Sequence, residues 1–445
     1  MQLWQALRVH KGEVVSLVGA GGKTTAMYRL GLELAAQGWR VVTTTTTMIR
    51  PPSPEQTADL IVTDRLERAL ILVQEAFRRK RLVTLAAHRL QAENKLKGID
   101  PAWILGLLPL ADVIIVEADG ARGLPLKAPA AHEPVIPDRT TLLVPVVGIS
   151  AVGQLLTEGT VHRPEFVAEL TGLALGQVIQ PSTLAALLVH PRGALKGAPE
   201  RARVVPLVNQ VCDEQTLAAA RQVAAEALRA NPRIERVLLG AVAREEPVVE
   251  SWRRVAAVVL AAGQSTRFGR PKQLLPLGES TLIEQVLSAV MAASVDQLVV
   301  VLGSSAAQIA ERIPAGCRIV VNREWESGIS SSIRAGLELV DPGVEAALFV
   351  LADQPCITGT ALRRILQAYY ATDKPIVVPT VRGQRGAPVL FDRRLFPELQ
   401  ALWGDVGGRQ VLACHEDQVQ EVEMESSDVF LDVDTLADYR RLLGE

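Results

Sequence analysis

Val258-Val-Leu-Ala-Ala-Gly-Gln-Ser-Thr-Arg-Phe-Gly-Arg-Pro-Lys-Gln-Leu-Leu-Pro-Leu277 is the stretch from which the fold of the second half of this chain is read. The apolar run over 255–262 has the composition of a buried strand and stops at Gly263. A polar loop with Ser265, Thr266, Arg267, Gly269, Arg270 and Lys272 follows, and apolar character resumes over 274–277. A buried strand that opens into a glycine-containing basic loop brings backbone N–H groups and two or three cations to one point, which suits a triphosphate. It is not a Walker loop, because no Gly-Lys-Ser/Thr follows.

Downstream, strand patterns over 297–302, 318–321, 346–351 and 375–378 alternate with helical ones, which predicts a mostly parallel sheet with helices on both faces. Leu351-Ala-Asp-Gln-Pro355 places Asp353 at the carboxyl end of a buried strand, where open α/β sheets bind ligands. One carboxylate beside a triphosphate is a usual way to hold Mg²⁺, since the ion keeps waters and phosphates as its other ligands. In Leu431-Asp-Val-Asp-Thr435, Asp432 and Asp434 fall on one face of an extended segment and are expected to complete that metal site. In Trp325-Glu-Ser-Gly-Ile-Ser-Ser-Ser-Ile-Arg334, Gly328, Ser330 and Ser331 open a helix whose N-terminus is expected to face an anion.

The first half begins with a short strand pattern over 14–18, then Gly19-Ala-Gly-Gly-Lys-Thr-Thr25, then a helical pattern to residue 36. Strand, glycine loop and helix in that order are the context of a phosphate-binding loop, although Leu17 stands where a full Walker A loop has its first glycine. Gly19, Gly21 and Gly22 are expected to bring N–H groups against the phosphates. Lys23 is expected to reach the outer ones, and Thr24 or Thr25 to hold Mg²⁺. A strand over 39–42 runs into five threonines, 43–47, which read equally as a phosphate contact and as β-branched filler in an edge strand. A third strand, 113–116, ends in Glu117-Ala-Asp-Gly-Ala-Arg-Gly123, so Glu117 and Asp119 stand where a Walker B carboxylate would bind Mg²⁺. Lys127, His132 and Glu133 lie in the loop beyond, and His162-Arg163-Pro164 reads as an exposed turn. Asn209-Gln-Val-Cys-Asp213 is similar to the base-reading Asn-Lys-x-Asp of P-loop GTPases, but with Gln210 for the lysine and Asp213 one residue late. The stretch 244–254 mixes charges and a proline without periodicity, which sets the expected domains at 1–248 and 252–445.

Leu-Ala-Ala-Gly-x-Ser-x-Arg-x-Gly-x-x-Lys over 260–272 resembles the signature of nucleotidyltransferases that join an NTP to a phosphorylated acceptor, and among them the molybdenum cofactor cytidylyltransferases. The resemblance implies a Rossmann-like nucleotidyltransferase with CTP and the molybdenum cofactor as substrates, and Mg²⁺ on Asp353, Asp432 and Asp434. It further implies Lys272 and Arg267 as catalytic cations, and Leu260, Ala261, Ala262, Gly263 and Ser265 around the nucleotide. Arg385 in Arg385-Gly-Ala-Pro388 and Arg409 in Gly404-Asp-Val-Gly-Gly-Arg409 match segments that contact the acceptor. The glycine loop, the threonine run and Val116-Glu-Ala-Asp-Gly-Ala-Arg-Gly-Leu-Pro-Leu-Lys-Ala-Pro129 with its His-Glu-Pro resemble the selenium cofactor biosynthesis YqeC family over roughly residues 1–245. That implies a P-loop-type α/β domain holding ATP or GTP, and a molybdenum hydroxylase as client.

The chain has 445 residues, 48% apolar and 22% charged, which fits two or three globular domains rather than disorder. Its 47 basic and 49 acidic residues give a net charge of −2, with no bulk attraction to nucleic acid or membrane. Four scattered cysteines without metal spacing, no signal-peptide pattern and no long apolar run make a cytoplasmic protein the expectation. Three other readings fit the same motifs: a nucleotidyltransferase using GTP or a sugar phosphate, an NTP-driven cofactor insertion chaperone, and a first half that is a scaffold with a vestigial loop.

Overall fold

The computed structural model describes residues 1–264 and 268–445, so Ser265 and Arg267 lie outside the described residues. The chain divides into two compact units, Met1–Trp252 and Arg253–Glu445. Both are mixed α/β folds built on largely parallel sheets.

In the first unit the strands are β1 (Glu13–Gly19), β2 (Val41–Thr45), β3 (Leu60–Val62), β4 (Leu82–Ala86), β5 (Val113–Glu117), β6 (Leu142–Gly148), β7 (Leu207–Asn209), β8 (Arg236–Gly240) and β9 (Val248–Arg253). They lie in the order β9-β8-β7-β6-β1-β5-β2-β4-β3, and every pairing from β8 to β3 is parallel. β1 is therefore central, and the order of connection reverses beside it, so the crevice beyond its carboxyl end is the expected ligand position for an open α/β sheet. Successive side chains of β1 go to opposite layers. Val15 and Leu17 pack on Ala26, Met27, Leu30 and Leu34 of α1 (Lys23–Ala36), whereas Val14 joins Val42, Ile114 and Val116 on the other face.

β6 carries Pro145, a residue that argues against a central strand because it cannot donate to the ladder. The sheet accommodates it by a gap. Leu142 and Leu143 pair with Arg203 and Val204, and pairing resumes at Val146 with Leu207. The intervening residues set Pro145 against Pro206, so two residues without N–H groups share the interruption. The threonine run is not an edge strand: β2 lies between β5 and β4, and Thr43, Thr44 and Thr45 are fully buried.

The second unit has β10 (Val255–Ala261), β11 (Gln297–Leu302), β12 (Arg318–Val321), β13 (Ala346–Leu351), β14 (Ile376–Val381), β15 (Val389–Asp392) and β16 (Val419–Glu423). The order is β12-β11-β10-β13-β15-β14, with β16 and the short strand Gln384–Arg385 also on β14. β10 to β13 and β14–β16 pair in parallel, while β15 runs antiparallel between β13 and β14. The sequence pattern missed β15 and β16. The first is the return arm of a turn rather than a βα unit, and the second reads Val-Gln-Glu-Val-Glu, an alternation with too few apolar residues to register as buried.

Arg253 and Asp392 form a fully buried ion pair at 3.3 Å in this unit. Arg253 also donates to the carbonyls of Tyr369 and Thr372 and stacks 4.1 Å from the Tyr369 ring, whose hydroxyl donates to Asp392. Breaking such a pair by removing one member leaves a desolvated charge. Asp392→Ala is expected to destabilise the second unit by about 3–5 kcal/mol, read by urea unfolding of the full chain; an effect under ~1 kcal/mol would contradict the account.

Candidate functional site

In the first unit the loop from Gly19 to Gly22 fits its surroundings only with glycine at 19, 21 and 22. Gly21 (φ +82°) has no room, since a Cβ would sit 2.4 Å from the Gly148 nitrogen, and at Gly22 (φ +125°) it would meet Asn209 Nδ2 at 2.3 Å. Asn209, buried at the end of β7, donates to the Gly21 carbonyl (2.7 Å) and accepts from the Val242 N–H (3.0 Å). Lys23 opens α1 with its ammonium folded inward. It donates to the Gly19 carbonyl at 2.5 Å and lies 3.2 Å from Asp119 Oδ1 and 3.9 Å from Glu117 Oε1. Thr24 Oγ1 donates to Glu117 Oε2 at 2.7 Å, and the Gly19 N–H donates to Asp119 Oδ2 at 3.0 Å. Thr25 is exposed on the same turn.

Burial pushes the Glu117 carboxyl up, against the opposing pull of Lys23 and Thr24. Asp119 is equally buried, yet its Oδ1 accepts no hydrogen bond among the described residues. The charges continue outward. Lys127 Nζ reaches Asp119 Oδ2 (3.0 Å), Glu133 Oε2 (2.7 Å) and the Gly120 carbonyl (2.6 Å), and Arg163 Nη1 donates to Glu133 at 2.7 Å. Lys23, Asp119, Lys127, Glu133 and Arg163 thus alternate in sign along one buried line.

The threonine hydroxyls are committed inside the sheet. Thr44 donates to the Leu85 carbonyl, Thr45 to Glu117, Thr46 to Val135, and Thr43 bonds Thr84.

In the second unit a polar cavity of about 620 Å³ lies beyond β10 and β13, lined by Ala262, Gly263, Gln264, Gly328, Ser332 and Asp353 among others. Beside it is a mainly apolar cavity of about 550 Å³ with Phe349, Phe391, Leu399, Leu412, Arg385 and Arg409 in its wall. Leu260, Ile329, Leu351 and Asp405 line both. Lys272 Nζ bridges Asp353 Oδ2 (2.7 Å) and Asp434 Oδ1 (2.8 Å). Burial works against its charge, but the two carboxylates outweigh burial and hold the ammonium above its usual range. Burial, reinforced by Asp353 and Asp434, pushes Asp432 up, although Gln354 donates to it at 2.9 Å.

The glycine loop with buried carboxylates in one unit, and the paired cavities behind a lysine in the other, match two families. Residues 15–165 match the YqeC protein model and residues 257–421 the MobA-like NTP transferase domain. The chain belongs to both families, one in each half. The uncharacterized protein YqeC of Escherichia coli K12 is 38% identical over 44% of this chain and 75% of its own length. Nicotine blue oxidoreductase of Paenarthrobacter nicotinovorans is 33% identical over 42% of this chain and 96% of itself. The molybdenum cofactor cytidylyltransferase of Escherichia coli K12 is 23% identical over 42% of this chain and 93% of itself. A crystal structure of Rv0371c from Mycobacterium tuberculosis H37Rv is 36% identical, covers 43% of this chain and 99% of that one, and has a TM-score of 0.40.

Within the MobA-like domain, Ser330 donates to the Gly404 carbonyl and Ser331 to those of Gly328 and Glu324, while Asn322 bonds Ser331 and Ser332. Ser330 ties the helix start to the 404 loop, and Gly328, Ile329 and Ser332 of the same turn line the polar cavity. Arg385 is held by Glu416 and Glu421 at 2.7–2.9 Å, whereas Arg409 has no side-chain partner among the described residues. Gln273, buried, donates to the carbonyls of Ala261 and Gly263 and fixes the backbone that faces the polar cavity. A buried polar residue one position after the signature lysine was the available signal for it. No helix among the described residues is long and apolar enough to cross a membrane, and none of their His, Cys, Asp and Glu side chains form a group of three placed to hold a metal ion.

Within the YqeC-like half, Asp213 is not a base reader. It caps α2 (Glu214–Ala230) by accepting from the Thr216 N–H at 2.8 Å, and Gln210 bonds Ser150. Residues 162–164 are not an exposed turn either: His162 pairs with Lys127 in a parallel bridge, and Arg163 joins the charge line.

Burial raises the Glu133 carboxyl, but Arg163 and Lys127 outweigh it and bring it from the ordinary 4.5 to about 2. A depressed carboxylate contributes stability above its unfolded pKa and loses it as pH falls through the folded one. Glu133→Gln is expected to cost the first unit on the order of 2–3 kcal/mol at neutral pH. The gap to the unsubstituted protein should close from pH 4.5 toward about 2. Denaturation midpoints measured across pH decide it, and a constant gap would refute the coupling.

Proposed function

We propose that the MobA-like unit is a molybdenum cofactor cytidylyltransferase. The phosphate oxygen of the molybdopterin acceptor attacks the α-phosphorus of CTP, forms a new P–O bond, and displaces pyrophosphate. The observation that carries this reading is the pair of cavities meeting at Leu260, Leu351 and Asp405, with Asp353 and its partner Lys272 at the polar one. A polar pocket for a nucleotide and an apolar one for a flat heterocycle, joined at one wall, position two substrates for in-line transfer.

In this scheme the backbone of Leu260 to Gly263, fixed by Gln273, meets the nucleotide base. Lys272, and Arg267 outside the described residues, neutralise the leaving pyrophosphate. Arg409, unpaired and at the apolar cavity, holds the acceptor phosphate, and Arg385 reaches it after releasing Glu416 and Glu421. Asp353 and Asp434, which share Lys272, and Asp432 would lend one or two carboxylate oxygens to Mg²⁺ brought in by the triphosphate rather than form a ready-made three-carboxylate site. The ion, arriving with the triphosphate, would supply charge neutralisation at the phosphates, since Mg²⁺ is usually held by one or two carboxylates plus substrate oxygens. The choice of CTP over GTP is an assignment by resemblance; among the relatives is a probable guanylyltransferase of Bacillus mycoides, 26% identical.

For the YqeC-like unit we infer a P-loop-type site for ATP or GTP, with Gly19, Gly21 and Gly22 against the phosphates and Lys23 swinging to them from Asp119. Asp119, whose Oδ1 lies 3.2 Å from Lys23 and accepts no hydrogen bond among the described residues, would with Glu117 and Thr24 hold Mg²⁺ accompanying that nucleotide once Lys23 swings away. A role in maturing a cytoplasmic molybdenum hydroxylase, with selenium as the family's name implies, completes the proposal.

The test is pyrophosphate release by the full chain with molybdenum cofactor and each NTP in turn. CTP alone should support it. Lys272→Ala and Asp353→Ala should lower the rate by on the order of 10²–10³, and Lys23→Ala should leave it unchanged. If no NTP supports pyrophosphate release while NTP is hydrolysed to free phosphate in a Lys23-dependent way, an NTP-driven cofactor carrier replaces the transferase.

A further inference from the structure

The loop 120–134 and the residues 161–163 bring together more cations than the nucleotide reading uses. Leu126–Lys127 and Val161–His162 pair in parallel, so His162 stands beside Lys127. Lys127 is fully engaged: it donates to Glu133 and the Gly120 carbonyl and pairs with Asp119 at 3.0 Å, and its side chain is 1% exposed. Glu133 and Asp119 are likewise taken by Lys127, Arg163 and Lys23. Arg122, exposed at the turn, and the half-buried His162 have no side-chain partner among the described residues. Arg163 uses Nη1 and Nη2 on Glu133 and keeps its Nε–H. Counting Lys23, Lys127, Arg163 and Arg122 against Glu117, Asp119 and Glu133 leaves an uncompensated positive charge even with every carboxylate ionised. The exposed Arg122 brings the surplus charge, and it is near enough for that charge, with those of Arg163 and Lys127, to act on His162.

We propose that Arg122, His162 and the outer edge of Arg163 form an oxyanion subsite, at the far end of the charge line from the glycine loop, which takes the phosphate-type group of a second small substrate. Calling that molecule a second substrate rests on the nucleotide reading of the glycine loop; the anion subsite itself does not. The chemistry is that of charge-assisted bonds from a planar guanidinium and an imidazole, in a field that Lys127 keeps positive from beneath. The buried Lys127 orders the subsite by holding Glu133, and through it Arg163, without itself reaching the ligand. The imidazole adds a pH signature. Burial, then the nearby Arg163, Lys127 and Arg122, push His162 below its usual range, while Glu133 acts in the opposite sense. The ring is therefore neutral at pH 7 and acts as one donor or acceptor; protonating it adds a charge and should tighten an anion. The sign is fixed: affinity rises as pH falls below 6.5, and an imidazole that is occupied by an anion titrates higher than one that is empty.

Sulfate is the probe, because its charge does not change over that range. Imidazole ¹H–¹⁵N spectra of the full chain are followed during a sulfate titration, with His162 assigned by its loss in His162→Gln. The expected result is a saturable shift of the His162 signals that tightens at lower pH. Arg122→Ala should weaken it about tenfold or more, and Lys23→Met should change it less than about twofold. Arg122 is exposed, so its loss tests the site without endangering the fold. A His162 signal that does not move, or an affinity indifferent to Arg122→Ala, overturns the proposal. So does an affinity lost equally in Lys23→Met, which would put the sulfate in the glycine loop. ATP binding is measured alongside with a fluorescent analogue. Absent ATP binding with an intact Arg122-dependent sulfate shift would remove the nucleotide reading and leave the subsite.

Discussion

A carboxylate withdrawn from water at the end of a parallel strand needs a cation within reach, and both halves of the chain meet that need in the same way. Neighbouring strands lie about 4.8 Å apart, so a lysine in the segment after one strand reaches a carboxylate after the next. In the first unit Lys23 follows β1 and meets Glu117 and Asp119 beyond β5; in the second Lys272 follows β10 and meets Asp353 beyond β13. In each case the strand that supplies the lysine is flanked by the one that supplies the acid. Desolvated pairs of this kind contribute little net stability and are strongly destabilising when half removed. Their position at the carboxyl ends of both sheets, where open α/β folds bind ligands, fits charged ligands better than a contribution to folding.

Legibility followed the range of the interaction. The glycine loop, the strand before it and the Leu-Ala-Ala-Gly signature were readable because a local order of strand, loop and helix carries them. So were Lys272 with Asp353, whose types and places within their motifs are sufficient. What the sequence hid depends on partners far along the chain. Asn209 is separated from Gly21 by 188 positions, and its role is to fill the space that Gly22 leaves open. The line Asp119–Lys127–Glu133–Arg163 draws its last member from a second segment, and the pairing of two-residue strands brings that segment in. The roles of the threonine and serine hydroxyls were not legible for one reason: a residue type advertises a donor, but only the fold says whether a carbonyl already accepts from it. Thr44, Ser330 and Ser331 all have such acceptors nearby.

β6 illustrates a different limit. Proline in an apolar run normally excludes a central strand, and here the sheet tolerates it by setting Pro145 opposite Pro206 and omitting two rungs on one side. On the other side Pro145 remains in register with Val18 of β1. The rule about missing donors holds; the gap absorbs its cost where neither partner has a donor to lose. A pattern that considers one strand at a time has no access to that cancellation.

The wall between the two cavities of the second unit has a consequence for how such a protein diversifies. Leu260, Ile329, Leu351 and Asp405 belong to both spaces at once. A substitution there cannot enlarge one compartment while leaving its neighbour's shape untouched. Lineages that trade one ligand for another must therefore move along paths in which paired changes are selected together, and intermediate sequences accept mismatched combinations poorly. A chain with a divided pocket inherits its preferences as a set, not one at a time.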